Sequence, residues 1–169
     1  MIGDALFLYV LANDTFLAIP HETLVATSRD GRSWDAFRPV GPPGFLLWRP
    51  RTPDGVTWYV PAFATDGSSV RLLRSADGLA WEELSSIYEG GGASETDVAF
   101  ATDGTLFALV RLEADDGLVA GSDRNATLVA TARPPYLAWA ATRVEGERLA
   151  QRQPRGYATV ACRRPRISL

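Results

Sequence analysis

The pattern Ser-x-Asp-Gly-x-x-Trp occurs twice, as Ser28-Arg29-Asp30-Gly31-Arg32-Ser33-Trp34 and Ser75-Ala76-Asp77-Gly78-Leu79-Ala80-Trp81, with 47 residues from one copy to the next. A period of this length belongs to arrays in which each repeat is one supersecondary unit that cannot bury its apolar face alone. Between the copies, short runs rich in Val, Leu, Phe, Trp and Tyr alternate with Gly, Pro, Asp and Ser clusters about every ten residues, which is a strand signal with no helical stretch. Strands are predicted at 4–12 and 15–19, joined by Asn13-Asp14, then at 23–27 and 34–40, with the first copy of the pattern as the turn between the last two. The next unit repeats the order at 45–49, 57–60, 70–74 and 81–84. Its first turn is Pro53-Asp54-Gly55, where proline presets φ and glycine accepts a positive one.

A third unit begins at 96–100, turns at Asp103-Gly104 and continues at 105–111. After a polar loop at 113–125 it resumes at Thr127-Leu128-Val129-Ala130-Thr131, a pentapeptide identical to Thr23 through Thr27. The identity places a degenerate third copy of the pattern at Ala132-Arg133-Pro134-Pro135-Tyr136-Leu137-Ala138-Trp139. There Asp-Gly has become Pro-Pro, one residue is inserted, and Trp139 heads the fourth strand. Tyr136 reads as a loop anchor. In residues 145–169 only Tyr157 to Cys162 looks like a strand.

The repeated word resembles the Asp-box of sialidase (neuraminidase)-like β-propellers, also called the bacterial neuraminidase repeat. The fold this implies is all-β, a partial propeller of four-stranded antiparallel blades, with units at about 1–40, 44–88 and 94–144 and an incomplete fourth at 145–169. Propellers usually have about four to eight blades, and 169 residues at a 47-residue period hold about three and a half. In such a box the hydroxyl and carboxylate bond the backbone of a tight turn, glycine supplies the positive φ and tryptophan covers the turn. The resemblance therefore gives Ser28, Asp30, Gly31, Trp34, Ser75, Asp77, Gly78, Trp81 and Trp139 structural roles. The same logic predicts that Asp30→Ala strands buried turn amides.

A second resemblance to that family runs from Ser94 to Arg111: a glutamate opens the first strand of a mid-propeller blade, an Asp-Gly turn follows, and an arginine ends the second strand. It implies Glu95 as the catalytic glutamate that serves a tyrosine nucleophile, and Arg111 as one of three arginines that hold the carboxylate of an acidic sugar. Guanidinium binds carboxylate in a planar fork that lysine cannot match. Arg163, at the equivalent strand end of the next unit, is a further substrate-binding candidate. Arg49, within Trp48-Arg49-Pro50-Arg51, is another. The implied activity is that of an exo-glycosidase on acidic sugars, with a site left incomplete because the acid/base aspartate, the first arginine and the tyrosine have no room in this chain. A non-catalytic carbohydrate- or protein-binding module is the alternative. Taken as residues alone, Glu95 is equally a solvated strand entry after Gly90-Gly91-Gly92, and Arg111 equally an edge ion-pair partner of Glu113 or Asp97.

Composition narrows the chemistry further. Cys162 and His21 are the single cysteine and histidine, so a disulfide, a Cys/His metal site and histidine general-base catalysis have no support. No cofactor or metal is expected. All 17 basic residues are arginine, and residues 143–169 carry +5 against −8 for the remainder. That segment lacks the interleaved aromatics of a nucleic-acid tail apart from Tyr157, so an altered last blade is expected and nucleic acid is not. No run of apolar residues is long enough for a membrane helix, and the segment from Met1 to Pro20 has no basic n-region and reads as a strand instead of a signal peptide. The compartment stays open, although members of the family are often secreted. The partners implied are a glycan or sialoside and, through open strand edges, a second copy of the chain.

Overall fold

The computed structural model describes residues 4–13, 20–113 and 126–144. Among these the chain is all-β, with strands β1 (Leu6–Ala12), β2 (Glu22–Ser28), β3 (Arg38–Pro39), β4 (Phe45–Leu47), β5 (Trp58–Ala64), β6 (Ser69–Ser75), β7 (Glu82–Glu89), β8 (Ala93–Phe100), β9 (Leu106–Leu112), β10 (Ala126–Ala132) and β11 (Ala140–Val144). They form three antiparallel meanders, β1-β2-β3, β4-β5-β6-β7 and β8-β9-β10-β11, each strand bonded to its neighbours in sequence. One expectation for the first sheet is corrected. Leu6–Ala12 pairs along its whole length with β2, from Leu6 opposite Ser28 to Ala12 opposite Glu22, so no strand stands between them. The strand expected at 15–19, like the one at 157–162 and the loop from 114 to 125, lies outside the described residues.

The sheets stack, and alternate residues of the middle one face opposite neighbours. Leu47, Val60, Ala62 and Leu73 pack with Val25 and Val40 of the first sheet. Leu46, Phe63, Val70 and Leu72 pack with Val98, Leu106, Ala108, Val110, Leu128 and Ala130 of the third. A sheet covered on both sides reads as a continuous apolar run, and a sheet covered on one side as an alternation. Accordingly β5 is buried without interruption from Val60 to Ala64, whereas β10 alternates strictly from Ala126 to Ala132. The identical pentapeptides show the same rule. In β2 Thr23, Val25 and Ala26 are buried, and in β10 Leu128 and Ala130; the copies share only the buried alanine, because they stand at opposite ends of the stack and Thr23 and Val25 turn inward in one where Leu128 does in the other. Thr23 uses its position to accept the backbone N–H of Leu47 at 2.9 Å, joining the first two sheets.

Strand lengths depart from the sequence reading where backbone irregularity intervenes. β5 runs through Pro61, which lacks an N–H for the ladder. The β4 side is irregular there: Trp48 donates to the Pro61 carbonyl at 3.0 Å, and pairing resumes only at Arg51 with Tyr59. Proline inside a sheet is confined to such interruptions. β7 extends to Glu89 through two register shifts against β6.

Both copies of the Ser-x-Asp-Gly pattern close turns of one geometry. Ser28 Oγ accepts the N–H of Gly31 at 2.9 Å, and Asp30 Oδ1 accepts those of Arg32 and Ser33 at 2.8 Å. Ser75 and Asp77 do the same for Gly78, Leu79 and Ala80, also at 2.8 Å. The glycines sit at φ 69° and 74°, a region closed to most side chains. One expectation fails here, and the two tryptophans differ. The amides held by Asp30 are exposed and not buried, so water can replace the carboxylate. Trp34 is 41% exposed, whereas Trp81 donates to the Gly78 carbonyl at 3.1 Å and packs against the first core cluster.

A third turn of the same geometry occurs where the sequence reading placed only a proline-glycine turn. In Thr52-Pro53-Asp54-Gly55-Val56-Thr57-Trp58 the threonine hydroxyl accepts the Gly55 N–H at 2.8 Å. Asp54 Oδ1 accepts those of Val56 and Thr57 at 2.8 Å, and Gly55 has φ 78°. Threonine for serine hid the match. In the degenerate copy the positive φ falls on Tyr136, at 66°, and not on the Pro-Pro pair, whose bond is cis. Counted back from Trp139, Tyr136 occupies the glycine position. The strain of a left-handed tyrosine is offset by its anchoring: the ring is buried against Tyr59 and Phe100, and its hydroxyl donates to the Gly104 carbonyl at 3.1 Å.

Candidate functional site

The β8–β9 hairpin carries the two residues that motif analysis selected. Its turn is set by Asp103, whose carboxylate accepts the Thr105 N–H at 2.9 Å, and Glu95 and Arg111 stand at the opposite end. There the register shifts between Ala93, opposite Leu112, and Thr96, opposite Val110, so that Ser94 and Glu95 share the single partner Arg111. Such a bulge re-aims a side chain and is frequent beside functional sites. The Arg111 guanidinium bonds the Glu95 carboxylate and also Glu113 at 2.7 Å. Both alternatives raised for Arg111 thus meet in one place: it neighbours Glu95, and it pairs with Glu113. Glu95 keeps 25% of its side chain exposed and Arg111 44%, so the group is accessible.

Asp97, the other candidate partner of Arg111, is engaged elsewhere. It lies two residues along β8 from Glu95, roughly 7 Å by strand rise, and its carboxylate is wholly buried. Arg51 reaches both of its oxygens from the preceding sheet, at 3.3 Å each, and Arg49 approaches to 3.9 Å. Arg49 also lies over the Trp48 ring, 5.7 Å from its centroid. The irregular stretch around Pro50 presents both arginines, since Arg51 is tied to Tyr59 by two backbone bonds of 2.7 Å while Arg49 falls between paired positions. Arg51 and Asp97 were not selected from the sequence. An aspartate inside the apolar run Thr96 to Phe100, one unit after a Trp-Arg-Pro-Arg segment, was the available signal.

The remaining candidates sit apart from this group. Arg163 lies outside the described residues. Ser28, Asp30, Gly31, Ser75, Asp77 and Gly78 serve their turns, and backbone N–H donors hold the Asp30, Asp54, Asp77 and Asp103 carboxyls below the ordinary aspartate value. Trp139 donates to Ser85 Oγ at 3.0 Å, and the same hydroxyl donates to the Tyr136 carbonyl at 2.7 Å, which fastens the degenerate copy to β7 of the middle sheet. Among the described residues no group of three His, Cys, Asp or Glu side chains is placed to hold a metal ion.

Three guanidiniums and three carboxylates gather here: Arg49 and Arg51 follow β4, Arg111 is on β9, Glu95 and Asp97 are on β8, and Glu113 follows β9, with a carboxylate beside each guanidinium. Guanidinium groups hold oxyanions by forked hydrogen bonds. No protein-family model matches the chain, and no curated protein matches it.

Proposed function

We propose that these sheets are blades of a sialidase-like Asp-box propeller, and that Glu95 and Arg111 belong to a site of the kind that takes acidic sugars. The observation that carries this reading is the pairing of Glu95 with Arg111 across neighbouring strands, at the end of the hairpin away from its Asp-Gly turn. Two turns with the hydroxyl, carboxylate and glycine geometry at one period support the propeller assignment, as do two successive four-stranded meanders stacked face to face. In this reading Glu95 is the glutamate of a retaining glycosidase, which serves a tyrosine nucleophile in that family, and Arg111 and Arg49 bind the sugar carboxylate.

A second reading, recognition without hydrolysis, is favoured by one feature: the Glu95 carboxylate is already engaged by the Arg111 guanidinium, which Glu113 also holds. A fluorogenic sialoside, incubated with the purified chain, separates the two. Binding without release of the fluorophore supports recognition, turnover abolished by Glu95→Gln supports catalysis, and neither binding nor turnover removes the acidic-sugar assignment.

A further inference from the structure

The first and third sheets correspond residue by residue. Both contain Thr-Leu-Val-Ala-Thr, at 23–27 and 127–131, and the preceding strand pairs with it in the same register. Leu6 stands opposite Ser28 as Leu106 stands opposite Ala132, and Val10 opposite Leu24 as Val110 opposite Leu128. Directly opposed residues of an antiparallel pair lie on one face of the sheet, so the two faces of one sheet map onto those of the other.

The third sheet turns Leu106, Val110 and Leu128 onto Leu46, Phe63 and Leu72 of the middle sheet, and all three are buried there. Their equivalents Leu6, Val10 and Leu24 lie on the outer face of the first sheet. They are half-buried and belong to neither core cluster, and Leu8 between them is 41% exposed. The other faces show the converse. Phe7, Tyr9 and Val25 of the first sheet pack with Val60, Ala62 and Leu73 of the middle one. Their equivalents Phe107, Leu109 and Val129 lie on the outer face of the third sheet and in neither cluster, and Val129 is half-buried where Val25 is 1% exposed. No described sheet covers either outer face. The two outer faces are therefore the two halves of a seam that the chain already makes internally.

We propose that the outer face of the first sheet docks a second copy of this chain, through the outer face of that copy's third sheet. The occupant is argued from the internal seams, where the face that carries Leu106, Val110 and Leu128 is covered by an apolar sheet and the face that carries Phe7, Tyr9 and Val25 covers one. Such a contact joins unlike surfaces, so it closes into a ring or propagates, according to the rotation between copies. Two copies closed at both contacts bring together three sheets each, within the range of about four to eight sheets found in closed radial arrays. The contact joins faces instead of strand edges, and it does not rest on the acidic-sugar reading. Arg111 takes the place of Leu11 at the end of the third sheet's outer face, so a docked copy borders the pair that Arg111 forms with Glu95.

Sedimentation velocity of the whole chain at micromolar concentration tests the docking. The expected species has twice the 18.3 kDa of one chain. Leu8→Arg and Val129→Arg should each return it to a single chain, because either buries an unpaired charge in the contact. Val56→Arg, at a 69% exposed residue of the Thr52 turn, should leave the pair intact. An equimolar mixture of the two disrupting variants should regain a pair, since one keeps its third-sheet face and the other its first-sheet face. Circular dichroism checks folding, and Leu8→Thr or Val129→Thr replaces an arginine variant that loses its β-sheet spectrum. Larger species that both variants reduce to single chains support the docking in its open form. A wild-type chain that sediments singly, a pair that survives either disrupting variant, or a mixture that stays single overturns the proposal.

Discussion

Ser85→Ala tests how the third sheet is fastened to the second. The Ser85 hydroxyl donates to the Tyr136 carbonyl at 2.7 Å and accepts the Trp139 indole N–H at 3.0 Å, at a residue 9% exposed. Alanine removes both bonds and opens no cavity larger than an oxygen atom. Each neutral hydrogen bond contributes about 0.5–1.5 kcal/mol net, and a buried polar group left without a partner adds to the loss. Tyr136 is 6% exposed, so water does not readily replace the lost donor, whereas the half-buried Trp139 can recover part of its loss from solvent. The expected cost is about 2 kcal/mol. For a chain of this size, that lowers Tm by about 4–8 °C. Urea unfolding of the whole chain, read as a change of midpoint at constant slope, measures it. Ser86→Ala is the control, since its hydroxyl bonds the exposed Glu89 and should change stability by less than about 0.5 kcal/mol. A double-mutant cycle with Trp139→Phe should return a coupling of about 1 kcal/mol. Ser85→Ala indistinguishable from wild type, with no coupling to Trp139, would refute the fastening.

The remaining expectations concern the turns and the candidate site. Ser75→Ala removes the acceptor of a buried Gly78 amide and should cost about 1–2 kcal/mol, more than Asp30→Ala, whose amides face water, as paired urea titrations would show. Tyr9→Phe removes one of two donors to the Gly78 carbonyl and should cost about 1 kcal/mol, seen as a lower urea midpoint. The turn aspartates have folded pKa values below the ordinary 3.8, so their contribution is complete above that value and is lost as pH falls through the depressed folded values. Tm should therefore drop as pH falls below the ordinary aspartate value, and Asp77→Asn should flatten that drop. Glu95→Gln should leave Tm within about 1 °C of wild type, because an exposed ion pair stabilises little, while altering any response to an acidic sugar.

Strand existence was legible because alternation and turn residues are local properties. Facing was not, since of two identical pentapeptides one buries Thr23 and Val25 and the other Leu128, according to which end of the stack holds them, while only the alanine is buried in both. The continuation of β5 through Pro61 escaped because the compensating irregularity lies in another strand. The Thr52 turn was hidden by a single hydroxyl-for-hydroxyl change, whereas Tyr136 was legible as a loop anchor and only its positive φ was not. Glu95 and Arg111 were selected by a resemblance to a family motif, and the hairpin joins them. Arg51 and Asp97, 46 residues apart in different sheets, have no such local signature.

The three Ser/Thr-x-Asp-Gly turns differ from the seams between sheets in when they can form. Every bond that closes them spans at most three residues, so each can close on the microsecond timescale of an isolated hairpin. The contacts that join one sheet to the next, such as Ser85 with Tyr136 across 51 residues, must wait for long loops to close. Local closures of this kind can form before the contacts between sheets, which long loop closure delays.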